Sequence, residues 1–111
     1  MAQSYKQGSV DVIQLEERLT IEGLQSATGM FELILKERMP QVVVDLRRVK
    51  LIDSAGLELL CDSQQRCLRQ GGAIRLAAAG PLLRDVLRVT GLDQEFSMHA
   101  DVSSAAGAFA L

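Results

Sequence analysis

Asp53 and Ser54 are the residues of this chain best suited to chemistry by type and position. They follow an apolar run that ends at Leu51-Ile52 and open a segment, Ala55-Gly56-Leu57, that continues with helical spacing. Asp and Ser are favoured helix N-caps, because their oxygens accept from the unpaired N–H groups of the first turn. That structural role alone would account for the pair. The same helix end also carries a positive dipole pole and accommodates an anion, including a phosphate. A phosphate on Ser54 would add about −1.5 to −2 charges. The helix end offsets ~0.3–1 kcal/mol of its cost, so the fold should survive the modification. A partner docked there would meet a new charge, and mismatching a buried interface charge costs ~2–5 kcal/mol. The pair therefore reads either as a cap or as a switch that changes binding without changing the fold.

Other chemistries find less support. The chain has one His and two Cys in 111 residues, which leaves little for a metal site or His-based catalysis. His99 could be drawn as a base for Ser54, but no spacing or third group supports that pairing. Gly71-Gly72 is a lone pair and not a phosphate-cradling loop. Twelve basic against fourteen acidic residues give a net charge of −2, without the basic footprint of a nucleic-acid binder. Aromatic residues make up 4% and Trp is absent, so no base-stacking platform is expected. Arg47, Arg48 and Lys50 read either as a solvated loop or as a patch that touches a partner. Cys61 and Cys67, about 240° apart on a helix of 3.6 residues per turn, are not expected to bridge or to share a metal. They read as two buried thiols in a reducing cytosol. The N-terminus has no apolar signal core, and no apolar run approaches the ~20 residues of a membrane span. The expectation is a cytoplasmic protein, without cofactor or stable membrane insertion, as a monomer or weak homodimer.

The elements that must position Asp53 and Ser54 follow from hydrophobic period. Residues 1–8 are polar and read as a flexible tail; residues 9–111 form one domain. Ser9 to Leu19 is β-like, with Glu16-Glu17 either a turn between two short strands or part of one bent strand. Leu24 to Arg38 reads as a helix with Ala27, Phe31, Ile34 and Leu35 on one face, closed by Pro40. Glu32 and Lys36 are expected as an i,i+4 pair. Val42-Val43-Val44-Asp45-Leu46 predicts a strand buried on both faces of a parallel sheet. A second helix runs from Asp53-Ser54 to about Arg69 or Gln70 and ends at Gly71-Gly72. Ala73 to Ala77 is the next strand. Gly80-Pro81 opens a third helix, ended by Gly91. Met98-His99 reads as a short strand, and Ser103 to Leu111 as a last helix. This alternation predicts an α/β fold with right-handed crossovers.

Taken together, Val42-Val43-Val44-Asp45-Leu46, Ile52-Asp53-Ser54-Ala55-Gly56-Leu57, Gly71-Gly72, Val86-Leu87-Arg88-Val89-Thr90-Gly91-Leu92 and Phe96 resemble the STAS family. These are the sulfate transporter and anti-sigma factor antagonist domains, and the resemblance covers about residues 9–111. It implies a single domain with a mixed, mostly parallel sheet of four or five strands and about four helices. It also implies a non-enzymatic partner for an anti-sigma factor serine kinase, which would phosphorylate Ser54 and thereby be released. Nucleotide and magnesium would belong to the kinase. The implied partner-binding residues are Asp53, Ser54, Ala55, Gly56, the strand-end Asp45, and Thr20. Two departures stand out. The family often has an Asp just after its N-terminal strands, where this chain reads Arg18-Leu19-Thr20-Ile21, and Ala55 stands where many members have Ser. The alternative is a scaffold or regulatory subunit of a stress-signalling assembly or transporter ATPase complex, without a phosphorylation switch.

Overall fold

The architecture was obtained as a computed structural model, which describes residues 2–110. Its core is a five-stranded sheet of β1 (Gln3–Gln7), β2 (Val10–Gln14), β4 (Gln41–Asp45), β6 (Ala73–Ala77) and β7 (Ser97–His99), in that spatial order. The β1–β2 pair is antiparallel; the other three pairings are parallel. A two-stranded parallel ribbon, β3 (Arg18–Leu19) with β5 (Leu51–Ile52), lies outside the main sheet. Four helices complete the fold: α1 (Leu24–Ile34), α2 (Ser54–Arg69), α3 (Pro81–Val89) and α4 (Val102–Ala108).

Strand period decides which residues face which layer. In β4, Val42 and Val44 point into a core shared with Ala27, Phe31 and Ile34 of α1, Leu60 and Cys67 of α2, and Leu83 and Leu87 of α3. Val43 points the other way, with Val12 and Ala77, against Ala105 and Ala106 of α4. All three valines are fully buried, as a two-faced parallel strand requires. The parallel strands advance in one direction, β2-β4-β6-β7, so successive right-handed crossovers put α1, α2 and α3 on the same face. That order has no reversal point, the place where open α/β sheets usually open a ligand crevice.

Some sequence-based expectations change, and one open alternative is decided. Residues 3–7 are not a loose tail: they form edge strand β1, in register with β2 from Gln3↔Gln14 to Gln7↔Val10. Their side chains are all exposed, so burial leaves no pattern in the sequence; the backbone ladder with β2 makes the strand, helped by Lys6, whose ammonium donates to Asp11 at 3.1 Å. Met1 and Leu111 lie outside the described residues; the last helix, expected over Ser103 to Leu111, runs from Val102 to Ala108. The Glu16-Glu17 segment is a turn between two short strands that belong to different sheets. Helix α1 stops at Ile34, four residues early, because the chain must unwind before Pro40; Met39 there has a φ of 51°. Glu32 consequently pairs with Arg66 of α2, at 2.7 Å, and not with Lys36. Gly72 allows the tight return into β6, since a Cβ there would collide with the carbonyl oxygen of Pro40.

Candidate functional site at the start of helix α2

Ribbon β3/β5 holds the start of α2. The carbonyl of Glu17 accepts from both Lys50 N (2.8 Å) and Leu51 N (3.1 Å), and that of Leu19 from Asp53 N (3.3 Å). Asp53 is the N-cap, in an extended conformation, and its carboxylate is shared between two elements. Oδ1 accepts from Gly56 N at 3.0 Å, and Oδ2 accepts from Ile21 N at 3.0 Å. Asp53 thus ties α2 to the 3-10 turn Ile21–Gly23, which Thr20 precedes. Donation from the Ile21 amide first, and then from Gly56, holds the Asp53 carboxyl below its ordinary value of 3.8. Gly56 lies directly under this junction. A Cβ there would run into the Leu19 carbonyl oxygen and come within 2.9 Å of Ile52 Cγ1.

With Asp53 as the cap, Ser54 has no structural task. It is the first residue of α2, it is exposed, and its hydroxyl has no hydrogen-bond partner among the described residues. Ala55 beside it is half-buried. The surroundings of Ser54 carry two aliphatic side chains in water, Ile21 (73% exposed) and Leu51 (51% exposed). Neither was singled out from the sequence. An available signal was that both lie off the apolar stripes of α1 and α2. Farther along, Gln64 fixes the orientation of α2. Its buried amide donates to the carbonyls of Ile74 (3.3 Å) and Glu95 (2.8 Å), and its oxygen accepts from Ile74 N at 2.7 Å.

The sequence-derived residues divide into two groups. Thr20, Asp53, Ser54, Ala55 and Gly56 converge on the α2 start. Asp45 is different: it is 4% exposed, and its Oδ1 accepts from Arg47 N at 3.0 Å. It shapes the loop after β4 and bears on the surface only through that loop. His99 faces the α4 side of the sheet, where its Nε2 lies 3.2 Å from Arg75 Nη1, whose guanidinium stacks over Phe109. The sheet thus separates it from the helix layer that carries Ser54. Cys67 is buried in the core, but Cys61 is only half-buried, with Sγ 3.6 Å from the Glu95 carboxylate. Among the described residues no group of three His, Cys, Asp or Glu side chains could hold a metal ion, and no helix is long and apolar enough to cross a membrane.

The arrangement is matched by known proteins. A family model described as "Mlab, STAS domain" matches residues 3–100. No curated protein sequence matches the chain. An anti-sigma-factor antagonist (STAS) domain protein from Planctomyces limnophilus superposes with a TM-score of 0.91 at 23% identity, covering 99% of this chain and 98% of that one. The Bacillus cell fate determinant SpoIIAA in its phosphorylated form gives 0.77 at 18% identity, covering 98% and 99%. A sulfate transporter family protein from Wolinella succinogenes gives 0.73 at 18%, covering 87% and 81%. At these identities the solved structures establish the fold, and the family model spans nearly the whole sequence. The chain belongs to the STAS domain family.

Proposed function

We propose that this protein is an anti-sigma factor antagonist. It is a non-enzymatic module that binds a serine-kinase anti-sigma factor and lets go when Ser54 is phosphorylated. The observation that carries this reading is the division of labour at the start of α2. Asp53 caps the helix, and Ser54 is left exposed at the positive end of a sixteen-residue helix, its hydroxyl without a partner among the described residues. A phosphate at that first position is tolerated by the helix end, which is worth ~0.3–1 kcal/mol to a nearby anion. It also places a dianion next to Asp53, whose carboxylate holds the Ile21 amide, on a face that exposes Ile21 and Leu51 to a docked partner. The fold therefore persists while the interface is lost. The test is to incubate the protein with its kinase partner and ATP and map the product by mass spectrometry. One phosphate on Ser54 is expected; modification elsewhere contradicts the reading.

A second reading has its own support. The matching family model takes its description from Mlab, and the fold likeness extends to a sulfate transporter family protein. In that reading the α2 face is a permanent docking surface in a transporter ATPase complex or a stress-signalling assembly. Stable co-purification with a membrane ATPase, together with an unmodified Ser54 in cells, would favour it.

A further inference from the structure

We propose that a cationic groove continuous with the Ser54 face docks an acidic segment of the partner protein, carboxylates interspersed with aliphatic side chains. The inference rests on the reading of the α2 start as a protein-docking face, and adds the chemistry of what docks there. The groove, about 690 Å³, is lined by Glu16, Glu17, Arg18, Arg47, Arg48 and Lys50. Four cations against two acids give it a formal +2 on a chain of net −2, so the remainder carries −4. All four cations are exposed, and among the described residues none has an ion-pair partner within 4 Å.

The groove walls are preorganised. Glu17 O bonds Lys50 N and Leu51 N, Asp45 Oδ1 bonds Arg47 N, and Val49 N donates to Leu46 O at 3.1 Å. Val49 is 5% exposed and anchors the loop in the core, leaving Arg48 and Lys50 on either side of it in solvent. A ligand therefore need not order the backbone that presents these charges, which lowers the entropic cost of binding. The rim of the groove is the β3/β5 ribbon, where Arg18 pairs with Leu51, and it leads through Ile52 to Asp53 and Ser54. Three guanidinium forks match carboxylates in bidentate geometry. Glu16 and Glu17 oppose a dense polyanion, whereas carboxylates spaced along a peptide can avoid them. The exposed Leu51 and Ile21 supply the aliphatic half of the match.

The test follows backbone amide shifts of the isotopically labelled protein during titration with a synthetic peptide of alternating Glu and Leu, and with its Lys-for-Glu counterpart. Inorganic phosphate, ATP, single-stranded DNA and phosphatidylglycerol vesicles form parallel arms. Expected are shifts at Glu17, Arg18, Arg48 and Lys50 with the acidic peptide alone, with a midpoint below about 1 mM. They should weaken as salt shortens the screening length to ~8 Å near 0.15 M. Arg48→Glu with Lys50→Glu should weaken binding at least about tenfold, and Arg18→Glu alone should act in the same direction. No shift at the groove, equal or stronger binding of any parallel ligand, or unchanged affinity of both variants would each overturn the proposal. The titration contains no kinase and uses protein with unmodified Ser54, so it reads the groove without the switch. A failed Ser54 switch thus leaves this result standing, and a failed groove leaves the switch to its own test.

Discussion

Replacing Gly56 by Ala tests whether α2 must touch the β3/β5 ribbon to place Ser54. In an ordinary helix the change would stabilise by ~0.5–1 kcal/mol, since Gly is a poor helix former. At this position the new methyl meets the Leu19 carbonyl oxygen, which is backbone, and Ile52 Cγ1 at 2.9 Å. Forcing a methyl into a filled site costs ~1–3 kcal/mol. Relief requires the start of α2 to move off the ribbon, stretching the Asp53 N–Leu19 O bond, already 3.3 Å, at a further cost of ~1 kcal/mol. The clash therefore outweighs propensity, and the net loss is about 1–3 kcal/mol. For a domain of this size each kcal/mol shifts the melting temperature by roughly 4 °C, so a drop of about 4–12 °C is expected. Gly29, exposed in α1 with nothing within 4 Å of its would-be Cβ, is the control. Gly29→Ala should raise the melting temperature by about 2–4 °C. Both are read by thermal unfolding in circular dichroism, with the amide shifts of Ile21 and Ser54 as a second readout that moves only in Gly56→Ala. If Gly56→Ala melts at or above wild type, the close approach that builds the site is absent.

Three further outcomes follow from the same geometry. Gln64→Leu leaves Ile74 N and two carbonyls without their partner and should cost roughly 2–4 kcal/mol in denaturant unfolding, far more than an exposed substitution such as Gln65→Leu. Asp53, with its carboxyl held low in the folded state, contributes stability that is complete above pH 3.8 and is lost as pH falls through its lower folded value. Asp53→Asn should therefore flatten the acid limb of melting temperature against pH below that point, and an unchanged limb would contradict the double acceptor role. Burial raises the Cys67 thiol to about 11, so at pH 8 a thiol reagent should modify the half-exposed Cys61 first and Cys67 only on unfolding. Equal rates in the native protein would place Cys67 outside the core.

Much of this site was legible because its signals are local. Asp-Ser before a helical stripe marks a helix start from residue type alone, and the Val42-Val43-Val44 run marks a strand covered on both faces. What escaped is what depends on distant partners. Edge strand β1 carries five exposed side chains and forms because β2 offers it a backbone ladder and an Asp11 partner for Lys6. The two-residue strands β3 and β5 are too short to show a period, yet they set the position of Asp53. That Asp53, rather than Ser54, would cap α2 could not be read from two adjacent capping residues; Asp53 accepts from Gly56 N and is held in place by Ile21 N, thirty-two positions away. The resemblance implied that Asp45 lies at the docking surface, but its carboxylate is buried and accepts from Arg47 N.

The proposed role of Ser54 is a switch for binding and not a structural one. It is tested most directly by titrating the partner captured on wild-type protein against wild type, Ser54→Ala and Ser54→Asp in a calorimeter. All three should fold with similar melting temperatures, Ser54→Ala should bind as tightly as wild type, and Ser54→Asp should bind roughly tenfold to a thousandfold more weakly. Equal affinities of Ser54→Ala and Ser54→Asp would contradict it.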